Sequence, residues 1–213
     1  KDYKLRISRL TLTGYVASYE VIIWESQEAF DPVQSPYHFG GALAVTKAGK
    51  IYFATGDMMF PAKTQDLQFD HGKLLRINKD GSIPADNPIA NSPYYAWGLR
   101  NPFKGFYDEQ TNTFIMGVVG GNDHSNSWED IHYAKKGANY GWPNCGDTGR
   151  NTDGSCIDQA YTDPIYSFQH RPNRGNSIIG GFVYRNGNFP AEYQGSLFMA
   201  DYAQSWIRYL TLD

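Results

Sequence analysis

Residues 42–55, with the sequence ALAVTKAGKIYFAT, place two short apolar runs on either side of a turn. The first run extends from Ala42 to Thr46, and the second, from Ile51 to Thr55, begins with β-branched and aromatic side chains that favour strands. Between them, Gly49 supplies the conformational freedom that tight turns require. This stretch therefore predicts a β-hairpin.

The rest of the chain repeats this alternation of short strands and turns. Turn signals occur at Asp108 to Asn112 and at Asn186 to Asn188, and longer loops are expected at 58–72, 82–99 and 120–129. No stretch has a helical period, so the sequence predicts an all-β fold, with a sandwich, a barrel or a propeller as the alternatives. Further strands are predicted at Tyr3–Thr13, Glu20–Glu25, Lys73–Asn78, Thr113–Val119, Asp130–Ala134, Ser177–Arg185, Ser196–Ala200 and Trp206–Leu212.

The composition restricts the kinds of partner that the protein can have. Its 213 residues are 41% hydrophobic and 19% charged, which is enough to bury a core of domain size. The net charge of -3 and the lack of a Lys/Arg-rich block argue against binding to nucleic acid or to an anionic membrane. Apolar runs are far shorter than the roughly 20 residues of a transmembrane helix, so no membrane span is predicted.

The two cysteines, Cys145 and Cys156, flank a polar segment rich in glycine, asparagine and aspartate. We expect them to be exposed and to close a short loop as a disulfide, although two free surface thiols would give the same sequence pattern. Because disulfides persist in oxidising compartments, a bond here indicates a secreted or periplasmic protein.

Two segments carry residues that suit acid-base chemistry and anion binding. In HFGG, residues 38–41, His38 could serve as a general base or could instead cap a turn, and Asp57 follows it in a Thr-Gly-Asp sequence. In GLRNP, residues 98–102, Pro102 favours extended backbone before it. Arg100 there offers a fork of donors for an oxyanion, or it is a solvated surface residue.

A third group of segments contains the oxygen ligands that calcium prefers. Gly120 and Gly121 precede Asn122 and Asp123, and a further acidic pair follows at 129–130. Carboxylates, amides and backbone carbonyls in a glycine loop suit Ca²⁺, although the same residues also form ordinary turns and no EF-hand spacing is present.

Taken in order, these segments resemble the glucose/sorbosone dehydrogenase family. Members of that family use pyrroloquinoline quinone on a six-bladed β-propeller, and they are related to the hedgehog-interacting proteins. The resemblance extends over nearly the whole chain. Its motifs are HFGG at 38–41, the strand pair ending at Gly56 and Asp57, GKLLRIN at 72–78, DGSIPADNP at 80–88, GLRNP at 98–102, NYGWP at 139–143 and GGFVYR at 180–185.

The resemblance implies both a fold and a reaction. Residues 1–213 would form about four blades of a six-bladed propeller, truncated at both ends, whose open sheet edges self-associate or pair with a companion chain. The reaction would be quinone-dependent oxidation of an aldose to its lactone, with the electron acceptor left open. His38 would be the base, Arg100 would hold the quinone and stabilise growing charge, Asn101 would also hold the quinone, and Asp57 would contact the sugar. Gly120 and Gly121 would bind Ca²⁺ through their carbonyls.

Two departures from the family pattern support other interpretations. The loop after Asp57 reads Met58-Met59-Phe60, which is more apolar than the family pattern, and Val118-Val119 replace an acid or amide before the calcium-binding glycines. The alternative to a dehydrogenase is therefore a non-catalytic secreted propeller that binds a protein or glycan. A calcium-dependent propeller hydrolase of the lactonase kind is the third interpretation.

Overall fold

A computed structural model describes residues 3–123, 125–170 and 176–212 of the chain. These residues form thirteen β-strands and two short 3-10 helices, at Pro61–Gln65 and Ala191–Tyr193, so the all-β prediction is confirmed. The strands are β1 Arg6–Thr13, β2 Val16–Glu25, β3 Leu43–Val45, β4 Lys50–Ala54, β5 Lys73–Asn78, β6 Tyr94–Trp97, β7 Asn101–Asp108, β8 Thr113–Val119, β9 Trp128–Tyr133, β10 Tyr166–Gln169, β11 Ile178–Val183, β12 Leu197–Asp201 and β13 Trp206–Leu210.

The strands form four antiparallel sheets in which chain neighbours are hydrogen-bonded neighbours. The first sheet is the hairpin β1-β2, and the second has the order β3-β4-β5-β6. The third has the order β10-β9-β8-β7, and the fourth has the order β11-β12-β13. Successive meanders of this size are the blades of a β-propeller, so the structure favours the propeller over the sandwich and the barrel.

Hydrophobic cores fill the spaces between consecutive sheets. Tyr52 and Leu74 of the second sheet pack against Phe114 of the third, and the rings of Tyr52 and Phe114 are stacked 5.5 Å apart. Ile131 of the third sheet packs against Leu197 of the fourth. Because each core joins two sheets, the loops at the ends of neighbouring sheets are held in fixed relative positions.

Three strands were not predicted, and each of them is an edge strand. β6 lies inside the predicted loop 82–99 and is an edge of the second sheet. β7 and β10 are the two edge strands of the third sheet. β7 contains Pro102, which cannot donate to a neighbouring strand, and an edge position tolerates that loss. The three missed strands therefore lack a clear apolar pattern, whereas five other edge strands, β1, β2, β3, β11 and β13, were predicted.

The two cysteines form a disulfide, as predicted, but the expectation that they are exposed was wrong. Cys145 and Cys156 are bonded across 11 residues, and both are almost completely buried. The side chains around Gly141 explain the burial, since a Cβ added to that residue would contact both Cys145 and Tyr161. No helix among the described residues is long and apolar enough to cross a membrane.

Candidate active site

The predicted base, His38, and the predicted sugar-contact residue, Asp57, are hydrogen-bonded to each other. Asp57 follows Thr55 and Gly56, which come directly after β4, and its Oδ1 lies 2.7 Å from Nδ1 of His38. A Cβ on Gly56 would lie only 2.0 Å from the carbonyl oxygen of His38, so a side chain there would push the His38 loop away. His38 itself has a positive φ of 63°, which fixes the turn that presents its ring.

The carboxylate of Asp57 is almost completely enclosed by protein groups. Its side chain is 3% exposed, and it accepts hydrogen bonds from the backbone N–H of Met59 and from Nε1–H of Trp142, both at 3.0 Å. The side chain of His38 is 14% exposed. Asp57 therefore orients the imidazole from its Nδ1 side, whereas a direct sugar contact by Asp57 stays a prediction.

Arg100 is a buried cation rather than a solvated surface residue. Its guanidinium donates to the carbonyl of Val119 at 3.3 Å and to Oδ1 of Asn122 at 2.9 Å, and it lies 5.4 Å from the ring centre of Trp142. Burial lowers the pKa of Arg100, and the charges of Asp57, Glu129 and Asp147 oppose that shift. An arginine stays protonated at neutral pH, so the site keeps a desolvated positive charge.

Asn101 connects the His38 loop to β7. Its Oδ1 accepts a hydrogen bond from the backbone N–H of Gly40 at 3.1 Å, and the carbonyl of Pro102 accepts one from the N–H of Ala42 at 3.1 Å. The HFGG segment is therefore held between the second and third sheets by adjacent residues of the GLRNP segment.

An open cleft of about 570 Å³ lies beside His38. This volume is within the range of small-molecule sites, and the wall combines aromatic rings with amide and imidazole groups, as such sites do. Among the described residues, Nε2 of His38 has no hydrogen-bond partner, so it is available to a ligand. The cleft is lined by Pro36, Tyr37, His38, Phe39, Gly40, Met59, Asn101, Phe103 and Asn122.

The glycine pair at 120–121 is fixed by two carboxylates. The N–H of Gly120 donates to Oε1 of Glu129 at 3.2 Å, and a Cβ on Gly121 would overlap the carboxylate of Asp147. Within the described ranges, no group of three histidine, cysteine, aspartate or glutamate side chains could hold a metal ion. A calcium site formed by the glycine carbonyls stays a prediction.

The structure brings the four predicted side chains together and adds two that were not assigned a role. His38, Asp57, Arg100 and Asn101 are linked by the contacts described above, which involve three separate segments of the chain. Trp142 and Asn122 complete the site. Both lie in segments that the sequence analysis had singled out, NYGWP and the glycine loop, but only the fold shows which of their side chains reach the site.

Comparisons with known proteins place the chain in a family. The family model described as Glucose / Sorbosone dehydrogenase matches residues 1–213. The chain belongs to this family. It is 29% identical over 175 residues to aldose sugar dehydrogenase YliI of Escherichia coli, covering 76% of this chain and 44% of that protein. It is 34% identical over 129 residues to quinoprotein glucose dehydrogenase B of Acinetobacter calcoaceticus, covering 50% and 26%.

A solved structure supports the same family fold. The PQQ-bound form of an aldose sugar dehydrogenase from Streptomyces coelicolor matches with a TM-score of 0.73 and 23% identity, covering 98% of this chain and 55% of that one. At this identity the likeness concerns the fold alone. The likeness confirms that the four sheets are part of a β-propeller. The chain spans less than half the length of either curated relative named above.

Proposed function

We propose that the protein containing this chain oxidises an aldose to its lactone by transferring hydride from the anomeric carbon to pyrroloquinoline quinone. The observation that carries the proposal is the His38–Asp57 pair beside an open cleft, with Nδ1 of the imidazole bonded to the carboxylate. Membership of the glucose/sorbosone dehydrogenase family supports the same reaction class.

His38 serves as the base in this reaction. Asp57 holds the proton of the imidazole on Nδ1, so the lone pair of Nε2 faces the ligand and accepts the proton of the anomeric hydroxyl group. The sugar would lose two hydrogens and two electrons as the carbonyl of the lactone forms, one hydrogen as the proton that His38 takes and the other as a hydride that a bound quinone would accept. The quinone, when bound, supplies the electron-accepting chemistry that no amino-acid side chain provides.

The residues present fit a planar, negatively charged quinone. The cleft offers the rings of Tyr37, Phe39 and Phe103 and the amides of Asn101 and Asn122, and the guanidinium of Arg100 lies directly behind Asn122. Arg100 and Asn101 would hold the cofactor, since amides bind carbonyl groups and a desolvated cation stabilises negative charge on oxygen.

We also propose that Ca²⁺ binds at the carbonyls of Gly120 and Gly121. Hard oxygen ligands suit this ion, and Glu129 holds Gly120 by accepting its N–H, so the loop is kept in one conformation. A secreted or periplasmic location is proposed for the protein because the Cys145–Cys156 disulfide is favoured in oxidising compartments.

A dye-linked oxidation assay on the full-length protein tests the proposal. Turnover of aldoses should require pyrroloquinoline quinone and Ca²⁺ together, and His38→Ala should abolish turnover while quinone absorbance is still retained after desalting, because a base acts on the transition state. Asn126→Ala, at an exposed position that does not line the cleft, is the control for the effect of substitution alone and should keep its activity.

Failure of the assay would have a specific meaning. If no aldose is oxidised and no quinone is retained, the propeller is a binding module, and a protein or glycan partner should be sought. If Ca²⁺ alone supports hydrolysis of lactones, the lactonase interpretation replaces the dehydrogenase.

A further inference from the structure

Trp142 lies between the acid that orients the base and the buried arginine. Its indole N–H donates to Oδ2 of Asp57 at 3.0 Å, and Arg100 lies over its ring with the guanidinium carbon 5.4 Å from the ring centre. We propose that Trp142 is a positioning residue for His38, because it supplies a neutral donor to Asp57 and keeps Arg100 from pairing directly with that carboxylate. The inference rests on the proposed function of His38.

The contacts of Asp57 show what the indole contributes. Oδ1 is shared by Nδ1 of His38 and the N–H of Met59, whereas Oδ2 accepts only from Trp142 among the described residues. A buried carboxylate oxygen that loses its donor is strongly destabilised, so the indole N–H fixes the rotation of the whole carboxylate. The imidazole follows that rotation because it is bonded to the other oxygen.

The indole is itself held from the backbone. The carbonyl of Trp142 accepts hydrogen bonds from Oγ1 of Thr64 and from Nε2 of Gln65, both at 2.6 Å, and its N–H donates to the carbonyl of Gly98 at 3.0 Å. Thr64 and Gln65 belong to the 3-10 helix that follows β4, and Gly98 lies in the turn before β7. Trp142 is therefore anchored to the same segments that carry the residues it orients.

The ring also separates two opposite charges. Asp57 and Arg100 interact electrostatically, and their backbones are joined where the N–H of Asp57 donates to the carbonyl of Arg100 at 2.6 Å. No lysine or arginine forms an ion pair with Asp57 within the described part of the chain. A direct ion pair would draw the carboxylate away from His38, and the indole contacts both groups, Asp57 through its N–H and Arg100 through its ring face.

The variant Trp142→Phe in the full-length protein tests the inference. It keeps a smaller aromatic ring at this position and removes the N–H donor together with the five-membered ring, so we expect kcat to fall about tenfold with little change in KM.

Two comparisons separate positioning from a general loss of stability. Trp206→Phe makes the same change in β13, where the ring packs on Phe168, and should leave both kcat and KM unchanged. In an Asp57→Asn background, Trp142→Phe should cost less than about twofold further, because both changes act through one carboxylate. A full tenfold loss in that background, or a kcat of Trp142→Phe equal to that of Trp206→Phe, would overturn the inference.

A spectroscopic test does not depend on activity or on the folding of Trp142→Phe. In ¹⁵N NMR spectra of the full-length protein, the indole N–H signal of Trp142, which donates to Asp57, should shift and exchange faster with solvent in Asp57→Asn. If no indole signal responds, the hydrogen bond is absent and the inference fails. A response without aldose oxidation in the wild type would keep the link between Trp142 and Asp57 and reject only the reaction.

Discussion

Gly56 determines how closely the His38 loop can approach the end of β4. The carbonyl of His38 lies where a Cβ of residue 56 would be, and this same carbonyl accepts a hydrogen bond from the N–H of Met58 at 3.2 Å. The hydrogen bond between His38 and Asp57 depends on that approach, because His38 makes the contact and Asp57 directly follows Gly56. A small change in backbone position would therefore separate His38 from Asp57.

The variant Gly56→Ala should disturb the site more than its size suggests. With 2.0 Å between the new Cβ and the carbonyl of His38, the loop must move, and we expect a loss of about 1–3 kcal/mol in the free energy of unfolding together with most of the activity. Urea denaturation and the oxidation assay measure the two effects. Gly14→Ala, in the open β1-β2 turn, should leave the activity intact, and full activity of Gly56→Ala would contradict the predicted collision.

His71 should make the stability depend on pH. Burial lowers the pKa of His71 from 6.5 to about 4, with the charges of Lys63 and Lys73 acting in the same direction. The unfolded chain therefore binds a proton that the folded chain does not, and the free energy of unfolding should decrease as the pH falls from 6.5 towards 4. Urea denaturation at a series of pH values in this range should show that the free energy of unfolding changes less with pH for His71→Gln than for the wild type. If the pH dependence is the same, other groups cause the acid sensitivity.

The sequence predicted individual site residues better than it predicted their roles. His38, Arg100 and Asn101 each lie within two residues of a glycine or proline, whose backbone constraints mark functional turns, and the family resemblance supplied their order. Trp142 could not be assigned, because an indole in a loop is as consistent with packing as with hydrogen bonding. Trp142 and Asp57 are far apart in the sequence, and only the packing of separate sheets brings them together.

At the scale of the elements, all the central strands were predicted, and the three strands that were missed are edge strands. β5 and β8 match their predicted bounds: β8 reads as a nearly continuous apolar run, and β5 carries Leu74, Leu75 and Ile77 among polar residues. The edge strand β7 contains a proline, a glycine and several exposed positions, which resemble a loop when they are read without their neighbours. The site segment GLRNP begins such an edge strand, so its local structure was the hardest to predict.

The loop between Cys145 and Cys156 is fixed by its disulfide and by Arg150. The guanidinium donates to the carbonyls of Gly154 at 2.7 Å and Gly146 at 3.0 Å within the loop, and it forms an ion pair with Asp130 of β9. The loop also carries Asp147, which contacts Gly121. The geometry of the glycine loop therefore depends on this element.

Removal of the disulfide should lower stability and loosen the glycine loop. For a loop of 11 residues we expect the double variant Cys145→Ser, Cys156→Ser to lose about 2–3 kcal/mol in the free energy of unfolding. Urea denaturation measures the loss, and wild-type protein in reducing buffer should behave like the variant. If the double variant were as stable as the oxidised wild-type protein, the loop would be held by Arg150 without help from the disulfide.

At the scale of the whole molecule, the site exists only because separate sheets are packed together. His38 and Asp57 border the second sheet, Arg100 and Asn101 lead into the third, and Trp142 follows β9 of the third. The core between these sheets, with Tyr52 stacked on Phe114, keeps the segments at hydrogen-bonding distance. The shape of the cleft therefore depends on the relative position of two blades.

The outer face of the fourth sheet should cause the isolated chain of 213 residues to associate. Ile207 and Tyr209 lie on that face beside Phe182, with 77%, 50% and 48% of their surfaces exposed, and a contiguous apolar face of this kind promotes contact between proteins. Sedimentation velocity over a range of concentrations should show oligomers that the double variant Ile207→Lys, Tyr209→Lys reduces to a monomer. Gln110→Lys, in the exposed β7-β8 turn, adds charge elsewhere and should leave the association unchanged. The substitutions lie on the face opposite the core, so the variant should still fold. If it still associates, the contact between chains is formed by the exposed hairpin β1-β2 instead.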